Sequence, residues 1–324
     1  MKKEQKKLLE LIKQSKSILI VSHEYPDEDC VGSMIAMYWI LKKLGKKNIK
    51  LVSETNYKLN IKFLKGLENI IIDKIERHSE NVDLIIIVDT NRLGRIAGFP
   101  ETILREKKVV IIDHHEGETN IKYDIYINKI SSSTCQVIYE LFRELIKNDS
   151  AILKPLLLGI YADTGGFQYA IYKNTFKIVE EIIHKGIKFQ EIVEDMNTID
   201  KKIFEGGMLI FNNVKFDDNK KYFFTYITRN EARRLCLDYA EITSIKDNFF
   251  NELLKIKGYN FGFLVKPKPD KTCSITFRSR TINVRQIATR FGGGGHEKAA
   301  GANLEIYDSI EAVNYVRNKL KKIL

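Results

Sequence analysis

A chain of 324 residues exceeds one average domain and predicts roughly two. Hydrophobic residues at 44% and charged residues at 29% are the proportions of an ordinary folded protein, which excludes fibrous and disordered classes. The formal charge of +11 is compatible with an anionic partner, but Lys is spread along the whole chain beside abundant Ile and Asn, so charge alone decides nothing.

In chain order, Met1 to Ser15 reads as an amphipathic, Lys-rich helix without the unbroken apolar core of a signal peptide. The longest apolar stretch, Ala151 to Ala162, carries Lys154 and Pro155 and falls short of a membrane span. A cytoplasmic protein without membrane contact is therefore expected. A strand over Ser17–Ser22 is followed by a loop and a helix from Val31 to Leu44, closed by Gly45. Strands are predicted near Ile49–Val52, Val82–Asp89 and Val109–Asp113, and helices over Thr134–Lys147, Ala151–Ala162 and Thr175–Lys185. This alternation, with near-continuous apolar strands, predicts an α/β fold: a mainly parallel sheet flanked by helices.

From Phe189 the character changes. Gln190 to Val214 reads as one or two helices, then a strand at Tyr222–Thr228, helical segments to Ile256, and strands at Tyr259–Lys266 and Thr272–Ser279. A helix over Val284–Phe291 runs into Gly292-Gly293-Gly294-Gly295-His296, and a last strand and helix close the chain. The expected layout is a catalytic domain over 1–188, a helical linker over 189–205 and a smaller α+β domain over 206–324. Cys30, Cys135, Cys236 and Cys273 are scattered, with no CxxC pair, and read as reduced packing residues.

Three apolar strands end on metal-type ligands. The first runs into His23, Asp27 and Asp29, the second into Asp89, and the third into Asp113-His114-His115. A buried β-run gains nothing from such groups unless they meet a ligand at the carboxyl edge, where open α/β sheets place their sites. Asp27 and Asp29 also suit turn chemistry and helix capping, and Asp89 could cap the next turn. Two neighbouring carboxylates nevertheless repel unless cations lie between them. His114 and His115 cannot both point one way: one can ligate metal while the other faces substrate, and Asp113 can fix a tautomer. Asp163, followed by Thr164-Gly165-Gly166, ends an apolar helix. His23, Asp27, Asp29, Asp89, His114 and Asp163 make four carboxylates and two imidazoles without a thiolate. That set suits two divalent ions, with Mn²⁺ first and Mg²⁺, Co²⁺ or Zn²⁺ behind. His78 and His184 lie in polar, helix-like surroundings and receive no role.

HxxxDxD at His23 to Asp29, the strand-end Asp89, Asp113-His114-His115 and Asp163-Thr164-Gly165 resemble the four motifs of the DHH phosphoesterases. The glycine run with His296, and Lys298-Ala299-Ala300-Gly301 after it, resemble the GGGH signature of their associated C-terminal domain. In layout and length the chain looks most like the bacterial oligoribonucleases that also act as pAp phosphatases. The resemblance implies one metal on His23, Asp27 and Asp89, and a second on Asp29, Asp89, His114 and Asp163, with Asp89 bridging. It implies that His115 contacts the scissile phosphate and assists proton transfer, while Asp113 positions the histidines. Phe277-Arg278-Ser279-Arg280 resembles the family's Arg-bearing strand. Arg278 or Arg280 would then pair with a phosphate or stack on a base, and Gly293, Gly294, Gly295 and His296 would offer donors to an anionic oxygen. Two positions depart from the family pattern: Gln168 stands where many relatives carry Arg, and Glu28 replaces a small residue between the aspartates.

The resemblance implies cleavage of very short RNA or DNA oligonucleotides to 5′-mononucleotides and removal of the 3′-phosphate of pAp, with two domains closing over a small anionic substrate. A homodimer is compatible with it. The alternative is a stand-alone phosphodiesterase for cyclic di-AMP or its linear product pApA. No membrane or sensory module is expected before the catalytic part. A metal-free RNA-binding module would need broken ligands, and all six are present.

Overall fold

The computed structural model describes residues 2–55, 61, 63–96, 99–168, 170–295 and 297–323. The chain divides into two compact units, Met1–Thr198 and Ile199–Leu324.

In the first unit, the strands are β1 (Ser17–Val21), β2 (Asn48–Ser53), β3 (Ile70–Ile72), β4 (Leu84–Val88), β5 (Lys108–Asp113) and β6 (Ile125–Asn128). The helices are α1 (Lys2–Gln14), α2 (Glu28–Lys43), α3 (Glu101–Glu106), α4 (Thr134–Ile146), α5 (Ser150–Asp163), α6 (Thr175–His184) and α7 (Phe189–Asn197). Among the described residues the sheet order is β3-β2-β1-β4-β5-β6, and every pairing is parallel. β1 and β4 are buried along their whole length because helices cover both faces, which is why their sequences read as unbroken Ile, Leu and Val runs. One face packs on α2, α4 and α5 through Ile18, Ile20, Ile86 and Val110, and the other holds Leu19, Ile85, Ile87 and Val109.

Two glycines let the helices approach closely. A Cβ on Gly32 of α2 would stand 2.5 Å from the Pro155 carbonyl oxygen of α5. A Cβ on Gly159 would stand 2.6 Å from Asp29 Oδ1 and 2.4 Å from Cys135 Sγ. Gly159 therefore leaves the room that the Asp29 carboxylate occupies.

The helix expected from Val31 begins instead at Glu28. Asp27 is its N-cap, accepting from the Cys30 amide at 3.0 Å, and Asp29 sits inside its first turn rather than in a loop.

The second unit has β7 (Lys215–Asp217), β8 (Tyr222–Tyr226), β9 (Phe261–Pro267), β10 (Cys273–Ser279), β11 (Gly294–Gly295) and β12 (Ala299–Leu304). Its helices are α8 (Lys201–Asn212), α9 (Arg229–Arg234), α10 (Tyr239–Phe249), α11 (Val284–Thr289) and α12 (Ser309–Leu320). The sheet order is β11-β12-β10-β9-β8-β7, mixed because β8 and β9 are parallel while the other pairs are antiparallel. One sheet face, with Phe263, Ile275 and Phe277, packs on α11 and α12; the other, with Phe223 and Leu264, packs on α8 and α10. The strand expected to Thr228 stops at Tyr226 because Thr228 caps α9 in a capping box with Glu231.

No described helix is long and apolar enough to cross a membrane. Cys30, Cys135 and Cys273 are buried, but Cys236 is exposed and so is not a packing residue.

Candidate metal centre

Five segments deliver side chains to one place at the carboxyl ends of the parallel strands. β1 leads to His23, the first turn of α2 holds Asp29, β4 leads to Asp89, β5 leads to His114 and His115, and α5 ends on Asp163. His23 Nε2 lies 3.3 Å from Asp89 Oδ2. His114 Nε2 lies 3.5 Å from Asp89 Oδ1, 3.3 Å from Asp163 Oδ2 and 4.0 Å from Asp29 Oδ2. Asp89 thus stands between the two imidazoles, on a residue with φ of +62° that turns the chain out of β4.

Backbone carbonyls set both imidazoles. His23 Nδ1 meets the Glu24 carbonyl at 2.8 Å, and His114 Nδ1 meets the Ser131 carbonyl at 3.1 Å. A ring that donates from Nδ1 presents Nε2 as its ligand atom. His115 differs: its Nδ1 donates to Asp113 Oδ1 at 2.8 Å. Asp113 itself is fully buried at the end of β5, so it braces the histidines from behind rather than leaving the core.

The carboxylates are held by the start of α4. Asp29 accepts from the Thr134 amide at 2.7 Å and from the Cys135 amide at 3.0 Å, while Thr134 Oγ1 donates to Asp89 Oδ1 at 2.9 Å. The N-terminal amides of a helix suit a carboxylate, since they lack partners within it. The Ser131-Ser132-Ser133-Thr134 run carried a capping signal, with Ser133 as the N-cap, but nothing local pointed it at Asp29.

Packing these charges together shifts their protonation. Burial, then Asp29, Asp27 and Asp163, push the Asp89 carboxyl well above the usual range. Burial and the Asp29 charge carry Asp163 up to about 8, against the opposing pull of His114. Burial alone would depress His23, yet the Cys30 sulfur and the Asp27 carboxylate raise it to about 9. Burial likewise opposes the charged form of His114, but Asp29 and Asp163 raise it. Carboxylates crowded this closely favour binding a proton or a cation.

The donor set fits divalent metal. Among the described residues, His23 Nε2 is buried with Asp89 Oδ2 at 3.3 Å but without a hydrogen-bond partner, which is costly for a polar atom unless something else meets it. Three groups among the described residues have ligand atoms within 4.8 Å of one another: His23, Cys30 and Asp89; Asp89, His114 and His115; and Asp29, His114 and Asp163. The expected Asp27 is in none of them. Its side chain is 53% exposed and 3.9 Å from His23 Nε2, at the rim, with its Oδ1 capping α2. Cys30, read as packing, instead stands buried beside His23 and Asp89. Arg95 was also missed; its Nη2 approaches His23 Nδ1 to 3.4 Å.

The expected substrate-binding residues belong to the second unit. Arg278 on β10 pairs with Ala299 of β12, and Arg280 follows β10, its amide donating to the Asn260 carbonyl at 2.8 Å. Gly294 and Gly295 pair with Gly301 and Ala300, and a Cβ on Gly293 would stand 2.0 Å from the Gly301 oxygen, so only glycine fits there. His296 lies outside the described residues.

Comparison with known proteins agrees with this geometry. Residues 17–160 match the DHH family, N-terminal domain, and residues 232–322 match the DHHA1 domain. The chain belongs to the DHH phosphoesterases. This DHH chain is 25% identical over 310 residues to the bifunctional oligoribonuclease and PAP phosphatase NrnA of Thermus thermophilus, covering 95% of this chain and 90% of that protein. It is 25% identical to the cyclic-di-AMP phosphodiesterase PdeA of Listeria monocytogenes, covering 94% of this chain and 47% of that longer protein. The crystal structure of an exopolyphosphatase-related protein from Bacteroides fragilis superimposes with a TM-score of 0.86 at 24% identity, covering 98% of this chain and 95% of that one, which establishes the shared DHH–DHHA1 fold.

Proposed function

We propose that this DHH phosphoesterase is a two-metal enzyme that cleaves oligonucleotides a few residues long to 5′-mononucleotides and removes the 3′-phosphate of pAp. The observation that carries the reading is Asp89, whose two carboxylate oxygens face His23 and His114 at 3.3 and 3.5 Å. His23, Asp27 and Asp89 would hold one cation, and Asp29, Asp89, His114 and Asp163 would hold the other. Two divalent cations there, Mn²⁺ first and Mg²⁺ or Co²⁺ next, would supply an activated water and positive charge against the phosphoryl oxygens.

The chain's own groups do the rest. The Nδ1–H of His115 is engaged by Asp113, so the imidazolium, protonated on both nitrogens, would pass its Nε2 proton to the leaving oxygen and remain as the Nδ1–H tautomer. Asp113 acts through His115 as a positioning residue. In the second unit, Arg278, Arg280, Gly294, Gly295 and His296 are the groups we assign to a phosphate of the substrate; the expected Gly293 amide is instead taken by the Ala288 carbonyl at 3.0 Å.

The relatives named as oligoribonuclease and PAP phosphatase support this substrate class at nearly full length. The Listeria relative supports a second reading, hydrolysis of cyclic di-AMP or pApA. A panel of pAp, dinucleotides, pentanucleotides, longer RNA, pApA and cyclic di-AMP, compared by kcat/KM with Mn²⁺, tests the choice. The expected order places dinucleotides and pAp well above cyclic di-AMP; the reverse order would refute the first reading.

A further inference from the structure

Beside His115 the first unit opens into a recess of about 630 Å³, bounded by His115, Tyr123, Tyr126, Asn128 and the turn from Glu116 to Thr119. That volume lies within the range of small-molecule sites, roughly 300–1,000 Å³. Its wall is tied to the catalytic histidine. Asn128 Nδ2 donates to the His115 carbonyl at 2.8 Å and also to the Tyr126 hydroxyl, so the Tyr126 ring is fixed relative to the His115 backbone. Tyr123 leans against Tyr126 with ring centroids 5.5 Å apart and planes at 49°, yet Tyr123 remains 48% exposed. Tyr126 on the edge strand β6 packs partly on the core, and with the exposed Tyr123 just before the strand it forms an aromatic lip.

The charges on the recess indicate what it holds. Glu116 and Glu118 are both exposed and both line it. Carboxylates there repel a phosphate, and the two tyrosine rings favour a flat group without negative charge. We propose that the recess is a nucleobase subsite, in which Tyr123 and Tyr126 stack on the base of a nucleotide whose phosphate reaches His115. The proposal rests on the phosphoesterase reading above and adds how a base is held in the catalytic unit itself. Aromatic stacking accepts every base, since each has a π-face, so the subsite selects nucleotides without selecting sequence.

The test uses the full chain and a dinucleotide carrying 2-aminopurine at either position in turn, because stacking quenches that base's fluorescence whether or not turnover follows. Saturable quenching is expected for one of the two isomers. Tyr123→Ala, at a half-exposed position whose loss leaves the core intact, is expected to remove the quenching and weaken binding about five- to a hundredfold. Tyr123→Trp is expected to restore both. Absence of quenching in the natural chain, or undiminished quenching in Tyr123→Ala, would overturn the subsite. A second arm compares kcat/KM for a dinucleotide with that for the same molecule lacking the stacked base. The natural chain should favour the complete dinucleotide by about tenfold or more, and Tyr123→Ala should bring the ratio toward one; a ratio near one in the natural chain also overturns the subsite. Quenching without hydrolysis of any phosphoester would uphold the subsite and refute the catalytic reading instead.

Discussion

Asp89→Asn removes one charge at the point shared by both metal seats while keeping the side chain's shape. Asn tolerates the +62° φ at this position and can still accept from Thr134 Oγ1. Two effects separate. The buried Asp89 carboxyl is raised well above its ordinary range, so its ionised form opposes the metal-free fold, and the variant should be no less stable than the natural chain in EDTA. With metal the order reverses. Mn²⁺ at a hundred times its Kd should stabilise the natural chain by about 2.7 kcal/mol, a rise in Tm of roughly 5–11 °C for a unit of this size. Asp89→Asn should lose nearly all of that rise. Turnover of a dinucleotide should fall at least about 1,000-fold, equivalent to ~4 kcal/mol of transition-state stabilisation. Thermal melting with EDTA and with Mn²⁺, alongside turnover, measures all three. A variant that keeps the Mn²⁺-dependent rise and stays within about tenfold of the natural rate would refute the shared-carboxylate argument.

Thr134→Val deletes the hydroxyl that donates to Asp89 but keeps the amide that holds Asp29, and Mn²⁺ affinity by titration should weaken about 10–100-fold. Asp113→Asn should lower kcat about a hundredfold or more while the Mn²⁺-dependent Tm rise persists, because it disturbs His115 and no metal ligand. In EDTA, stability should fall as pH rises. Asp163, raised from 3.8 to about 8, favours the fold when protonated and loses that contribution across this window. His23, raised from 6.5 to about 9, adds stability that is complete below 6.5 and gone above 9. Equilibrium urea unfolding between pH 5 and 9 checks the slope, which Mn²⁺ should flatten. In the second unit, burial and the Lys246 charge lower Lys266 to about 7, so Lys266→Met should stabilise the fold at pH 7 by about 1–3 kcal/mol, read as a higher Tm. A lower Tm would show that its contacts with Thr243 and the Tyr239 ring outweigh the buried charge.

The parallel sheet was legible because strands covered on both faces must be apolar throughout, and β1, β4 and β5 announce themselves as such. The edge strand β6 escaped notice: Ile125–Asn128 is four residues long and half-buried, too short for a periodic pattern. β11 escaped because Gly294 and Gly295 have no side chains to alternate. The cluster could be anticipated because His, Asp and His-His at the ends of such strands have no packing explanation. Their partners could not. Asp29 meets amides more than a hundred positions away, and the place of Cys30 beside His23 follows from the first turn of α2, whose start was set three residues too late.

The grip of Thr134 and Cys135 on Asp29 makes this aspartate the cap of a helix that is not its own. An inactive Asp29 variant would therefore be ambiguous, since losing the anchor of α4 and losing a cation look alike in an activity assay. Asp27, at the solvent edge of the cluster, caps α2, so Asp27→Asn, which removes the charge and keeps a cap, speaks to ion binding with less disturbance of the scaffold.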